Sequence, residues 1–390
     1  MRDLSDSFDG LVVPGTIAAF QAEGTKGFVL SLSARSKDPY VIDSRFPLFQ
    51  NRLARPKKSH VMLAEVLGVP ALVDRDTQLT AGDLDDAALR LIAERWIDFN
   101  VGFEDVQTKT FNKYAARLNE VVFPDDRQDP AYVLPPYAMV GSLNDGWSEV
   151  SEAIWKHSQV YGRVKGIENK LRRVLAADSP LLWGQLAAGV QDEELVAWVS
   201  GLEEFRSTSE QDLLEYGVAL QQASSRGQRV FALYGGFLAV LLSRHGLTGA
   251  SHGIGFGEHR EWIELPSSGA PPARYYVPRL HRYVAVDLAE IVWRQFPDLV
   301  RCECEECAGN SPSALDYHGL MRHSVRARAD EITSWVNLPT SNVIDQLSSD
   351  YMAFGEASEA LQAPVKVKRR LEEASSHLAM WARIMQRLDS

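Results

Sequence analysis

Cys302, Cys304 and Cys307 are the only cysteines in the 390-residue chain, and they stand together in Arg301-Cys302-Glu303-Cys304-Glu305-Glu306-Cys307. Thiolates in a C-x-C-x-x-C knuckle converge on a borderline-soft cation, and a structural zinc site takes four such ligands in a closed tetrahedron. An odd number of cysteines at this spacing points to metal or catalysis rather than to disulfides. The fourth ligand must come from elsewhere, and His318 and His323 lie downstream on a predicted helix over residues 313–337. His323 is the expected ligand, because the intervening chain then has room to turn, with His318 as the alternative. Four protein ligands leave no open position, so this zinc is expected to be structural. Glu303, Glu305 and Glu306 read as solvated neighbours.

A knuckle of this kind must be carried by a framework. Before residue 297, short apolar runs alternate with amphipathic stretches. Strand-like segments are residues 10–19, 27–33, 40–42, 96–102, 131–140, 181–188, 229–233, 249–256 and 273–277. Helical patterns cover 59–67, 81–95, 108–122, 147–176, 192–205, 209–224 and 284–295. Strands separated by such helices imply βα units and a mostly parallel sheet. The span matches a (β/α)8 TIM-like barrel over residues 1–296, with a doubly wound sheet as the alternative. A zinc-binding subdomain over 297–340 and a helical tail over 341–390 complete the expected organisation.

Four further segments carry a resemblance. Tyr40-Val41-Ile42-Asp43-Ser44-Arg45-Phe46-Pro47-Leu48-Phe49-Gln50 is similar to a strand ending in Thr-Asp-Ser-Gly-Gly-Phe-Gln. Leu182-Trp183-Gly184-Gln185-Leu186-Ala187-Ala188-Gly189 is similar to Phe-Gly-Ile-Val-Gln-Gly, and Tyr234-Gly235-Gly236-Phe237-Leu238-Ala239-Val240 to Gly-Gly-Leu-Ala-Val. Arg322-His323-Ser324-Val325 fits the start of a His-Asn-Leu helix. With the cysteine knuckle, these segments resemble the tRNA-guanine transglycosylase superfamily, whose members exchange guanine for a 7-deazaguanine base and include DNA-directed relatives. The resemblance implies a structural zinc, a catalytic Asp43 followed by Ser44, and a base pocket lined by Gly235 and Gly236. The base-reading glutamine falls at Ala187, so it is either missing here or replaced by Gln185. Arg45 and Phe46 replace the two glycines of the aspartate motif. Tyr275-Tyr276-Val277-Pro278-Arg279-Leu280-His281-Arg282 stands where the family has its nucleophilic aspartate, and it contains none.

Base exchange at a glycosidic carbon needs one carboxylate for the developing oxocarbenium ion and a second group for the proton of the leaving base. Asp43 sits just past a strand, where barrels host chemistry; a turn or cap is the ordinary use of such an aspartate. Gly249-Ala250-Ser251-His252-Gly253-Ile254-Gly255-Phe256-Gly257-Glu258-His259-Arg260 is the most unusual stretch. Its glycines permit close backbone approach to a ligand. Glu258 is the candidate second carboxylate, His259 a proton shuttle and Arg260 a phosphate partner; a solvated loop tip is the plain alternative. Tyr275, Tyr276, Arg279, His281 and Arg282 form a basic-aromatic cluster that could stack bases and hold phosphates. Packed tyrosines and solvated arginines would explain it equally.

Composition sets the outer limits. The formal charge is −11, so a nucleic-acid partner needs a local basic patch. Residues 52–58, 165–173 and 366–370 are the candidates, each also readable as a solvated helix face. No secretory signal and no bilayer-length apolar run is found, so a cytoplasmic protein without membrane attachment is expected. The expected activity is glycosyl transfer on DNA or, less favoured, tRNA, with a guanine-type base as co-substrate and a homodimer or partner protein allowed. The rival readings are a non-catalytic nucleic-acid-binding or partner subunit that keeps the zinc staple, and an unrelated barrel hydrolase.

Overall fold

The computed structural model describes residues 2–53, 55–75, 77–118, 121–253, 262 and 271–390. Its strands are β1 (Leu11–Pro14), β2 (Tyr40–Asp43), β3 (Met139–Val140), β4 (Arg173–Ala177), β5 (Glu194–Val199), β6 (Arg229–Ala232), β7 (Leu247–Ala250), β8 (Arg274–Val277) and β9 (Arg282–Ala285). β3 to β7 form a five-stranded sheet in chain order, β1 pairs with β2, and β8 with β9. Every pairing among β1–β7 is parallel, whereas β8–β9 is an antiparallel hairpin.

Parallel neighbours require crossovers, and helices supply them. Trp147–Val164 joins β3 to β4, Pro180–Ala188 joins β4 to β5, Glu210–Ser225 joins β5 to β6, and Phe237–Leu242 leads from β6 towards β7. The first ends before Gly166, whose φ of +70° suits glycine. The second opens on Ser179, which accepts a bond from Leu182 N, followed by Pro180. That is a strong helix-start signal.

β4 and β5 are buried on both faces, as central parallel strands are. Along β4 and β5, Leu175, Ala177, Leu195, Ala197 and Val199 join the large core under the helices. Their alternates, Val174, Ala176, Val196 and Trp198, join a separate inner cluster with Leu134, Tyr137, Met139 and Leu233. Val12 of β1 and Val41 of β2 pack against that same cluster. The β1–β2 pair and the five-stranded sheet therefore share one inner face.

The fold is mixed α/β with a parallel sheet, but a closed ring of hydrogen-bonded strands is not shown. Among the described residues, β1 pairs only with β2 and β7 only with β6. A backbone bond from Ala131 N to Tyr40 O (2.9 Å) ties β2 to the segment that leads into β3.

Several local expectations are corrected. Residues 27–33 lie inside the helix Ala22–Ser36, 96–102 mostly inside Asp86–Val101, and 181–188 inside Pro180–Ala188. Each is an apolar run, and apolar runs do not distinguish a strand from a buried helix. Conversely β4 and β5 occupy stretches that read as helix, because their continuous burial gives no two-residue alternation.

After the hairpin come the cysteine loop and the helices Tyr317–Trp335, Thr340–Ala360 and Val365–Leu388. Their buried residues, such as Leu347, Phe354, Leu378 and Trp381, belong to the same core as the helix-facing side of the sheet. Among the described residues, no helix is long and apolar enough to cross a membrane.

Candidate metal centre and strand-end carboxylate

Cys302, Cys304, Cys307 and His323 are all buried, and their ligand atoms lie within 4.8 Å of one another. The loop is tight: Cys307 N and Ala308 N both donate to Cys304 O, and Ala308 takes a φ of +44°. The helix Tyr317–Trp335 starts at Asp316, which accepts from Gly319 N, and so fixes His323 two turns in. His323 Nδ1 is 3.4 Å from Cys304 Sγ and 3.3 Å from Cys307 Sγ. A tetrahedral zinc with bonds of about 2.3 Å to sulfur and about 2.0 Å to nitrogen separates such atoms by roughly 3.6 Å. The donors therefore match a closed metal site in both type and spacing.

The surroundings also fit. His323 Nε2 lies 2.7 Å from Tyr276 O, which can only accept, so Nε2 carries a proton and Nδ1 faces the sulfurs. The Tyr275 ring stacks on His323 at 4.4 Å, and its phenol donates to Val300 O. Burial opposes charge on His323, but the hydrogen bonds to Cys304 and Cys307 outweigh it and raise its pKa to about 9. Hydrogen bonds from Cys302 and Cys307 pull the Cys304 thiol far down, and Cys302 rises correspondingly. His318 is exposed on the same helix, its ring against Tyr317, and takes no part. Glu305 and Glu306 reach back to Arg326, and Glu306 also to Arg322.

Asp43 ends β2 and is fully buried. Its Oδ1 accepts from Tyr137 OH at 2.6 Å and from Arg45 N at 3.1 Å, and its Oδ2 from Tyr234 OH at 2.5 Å. Tyr234 in turn accepts from Arg45 Nη1 at 2.6 Å. Arg45 holds a φ of +54° and lays its guanidinium over the rings of Trp198 and Tyr234, 5.3 Å from each centroid. Burial alone would lower the Arg45 pKa, but neighbouring Tyr234 and Asp43 more than reverse this. Burial, then Asp43, raises the phenols of Tyr137 and Tyr234, so both remain donors. The C-terminal ends of β2, β5 and β6 thus meet around one carboxylate. Sequence reasoning missed Tyr137, Trp198 and Tyr234, which look like ordinary core aromatics; only Tyr234, directly before the glycine pair, carried a local hint.

Ser44 is buried beside Asp43, its hydroxyl accepting from Phe46 N. Gly235 N donates to Ser251 O, and Gly236 N donates to Glu204 Oε1 at 3.1 Å. A methyl group on Gly236 would fall 2.1 Å from Glu204 Oε2, so any side chain there must displace a buried carboxylate. Asp178, just past β4, is a further strand-end carboxyl, held above the usual range by partial burial and by Asp145.

Other expected site residues lie elsewhere. Gln185 is exposed on the crossover helix Pro180–Ala188, not at a strand end. Arg279 pairs with buried Asp350 through Nε at 2.7 Å, which binds the hairpin to the helix Thr340–Ala360. Arg282 packs over Phe205, and burial lowers its pKa to about 10. These contacts account for both arginines without a substrate. Tyr276 OH and His281 Nδ1 both bond Glu331, at 2.6 and 2.8 Å, and His281 stacks on Phe237. Glu258, His259 and Arg260 lie outside the described residues. Of the basic stretches, 165–173 and 366–370 are largely neutralised by acids such as Asp98, Asp129, Glu152, Asp192 and Asp287. Arg52, Arg55, Lys57 and Lys58 are exposed.

No family model, curated protein or solved structure matches this chain.

Proposed function

We propose that this chain is a zinc-stapled transglycosylase that exchanges a guanine-type base in nucleic acid, with Asp43 as the carboxylate at the glycosidic carbon. One observation carries the reading: Asp43 is buried at the C-terminal end of a parallel strand, and beyond the local turn bond from Arg45 N it is held by two phenols from distant segments, Tyr137 and Tyr234. Preorganised donors fix the carboxylate's direction before charge develops opposite it. The inner cluster shared by β1, β2 and the five-stranded sheet suits a (β/α)8 barrel, in which strand ends host the chemistry. Glu258 would supply the second carboxylate, and Gly235 and Gly236 the wall of the base pocket.

Zinc, when bound by Cys302, Cys304, Cys307 and His323, supplies a structural staple and takes no part in the reaction. It anchors the helix Tyr317–Trp335, whose Glu331 bonds Tyr276 and His281 and whose Arg328 bonds His252 at 2.9 Å. A DNA-directed activity is favoured over tRNA because the tRNA-enzyme motifs are eroded at Arg45, Phe46 and Ala187. Incorporation of labelled guanine into DNA and into tRNA tests the proposal, with Glu258→Ala alongside wild type. Incorporation into either polymer that the variant lacks is expected.

A second reading, a non-catalytic nucleic-acid-binding subunit, draws on the absence of an aspartate from residues 275–282. It expects binding without incorporation, unchanged in the variant.

A further inference from the structure

The strand-end site contains a cation that the base-exchange chemistry does not use. Arg45 is mostly buried, yet no carboxylate of the described residues forms an ion pair with it; its side-chain hydrogen-bond partner is the Tyr234 phenol. Arg244 bonds backbone carbonyls and Arg282 packs over Phe205, whereas some other part-buried arginines are matched directly by acids. Arg173 meets Glu152 and Asp192, and Arg279 meets Asp350. The acid nearest Arg45, Asp43, reaches it only across the Tyr234 phenol, and withdrawing a guanidinium from water without a direct ion pair is costly. Stacking over Trp198 and Tyr234 offsets only part of that. One edge of the planar fork is engaged by Tyr234, while Nε and Nη2 make no hydrogen bond among the described residues. An arginine so held, stacked on two rings and with one edge free of hydrogen bonds among the described residues, has the geometry to receive an oxyanion bidentately.

Its position adds to this. Arg45 is one phenol oxygen away from Asp43, through Tyr234. The chain then continues through a short helix, Phe46–Gln50, into the exposed cations Arg52, Arg55, Lys57 and Lys58. In a molecule with a net charge of −11, Arg45 thus heads a locally basic stretch of the chain.

We infer that Arg45 is a phosphate-binding residue, which takes the phosphate of the nucleotide whose sugar faces Asp43. The inference rests on the base-exchange reading for the nucleotide's orientation, but not for the binding itself. Its left-handed backbone and aromatic stacking hold the guanidinium in place before the ligand arrives, so little order is lost on binding.

Equilibrium binding of guanosine 5′-monophosphate and of guanosine, measured by calorimetry on the full chain, tests it. Wild type is expected to bind the monophosphate at least about ten-fold more tightly, the order of a charge-assisted bidentate contact. Arg45→Gln should bring the ratio close to one, and Arg45→Lys, which keeps the charge without the fork, should give an intermediate ratio. Thermal melting of each variant shows that it is folded. A wild type without phosphate preference, or a preference that survives in Arg45→Gln, overturns the inference. Failed base incorporation with an intact Arg45-dependent preference would instead count against the base-exchange reading alone.

Discussion

Tyr234 donates its phenol hydrogen to Asp43 across 2.5 Å, although 191 residues separate them in the chain. The bond joins the end of β2 to the segment after β6, and it also passes to Asp43 the influence of Arg45, which donates to the same phenol oxygen.

Tyr234→Phe removes a donor from a buried carboxylate and a partner from a mostly buried guanidinium. The expected loss is about 1–3 kcal/mol, since groups left unsatisfied in the interior keep their desolvation cost. Urea unfolding of the variant against wild type measures it, and an unchanged midpoint would show that the bond contributes nothing.

Cys304→Ser removes one of the buried ligands. Purified wild type is expected to hold about one zinc per chain and the variant to lose it, because a closed tetrahedron needs all four donors. The melting temperature should fall by more than about 5 °C, as binding energy at such a site is folding energy. His318→Ala should leave the metal content unchanged, its side chain being exposed and away from the sulfurs.

Gly236→Ala pushes a methyl group into the Glu204 carboxylate. Overpacking of a closed site of this kind costs about 1–3 kcal/mol. Because the clash is with one side chain, Glu204→Ala in the same molecule should recover part of the loss. Strictly additive losses in the double variant would locate the strain elsewhere.

His377 is buried, with Nε2 donating to Leu280 O at 2.8 Å and no acceptor near Nδ1. Burial, then Arg282, lowers its pKa well below the ordinary 6.5, so it is neutral when folded. The unfolded chain takes up this proton first, and stability conferred above pH 6.5 is lost as pH falls below it. Folding free energy measured from pH 7.5 to 5 should decline in wild type and decline less in His377→Gln, which keeps a donor to Leu280 O. The difference approaches about 1.4 kcal/mol per pH unit for one proton. Equal slopes would exclude His377 as a source of the decline.

The metal cluster was legible because its information is local and chemical: three thiols in one turn, and an imidazole on the first helix after them. Asp43 was legible by its place after Tyr40-Val41-Ile42, and β6 and β8 by short apolar runs. The crossover helix Pro180–Ala188 reads as a strand from its apolar run alone, and the Ser179-Pro180 helix start beside it carries the missing signal. β4 and β5 were hidden by burial on both faces, which erases alternation. The aromatics around Asp43 and Arg45 were largely hidden, Tyr234 alone having the glycine pair beside it. Tyr137, Trp198 and Tyr234 come from distant segments, and nothing in an aromatic's neighbours tells whether its polar edge will meet a carboxylate.

The account turns on whether Asp43 does chemistry. The most direct measurement is incorporation of labelled guanine into DNA and tRNA by wild type and by Asp43→Asn, both zinc-loaded and equally folded. Incorporation by wild type and none by the variant is the expected result. Equal incorporation by both, or none by wild type on either polymer, would contradict it.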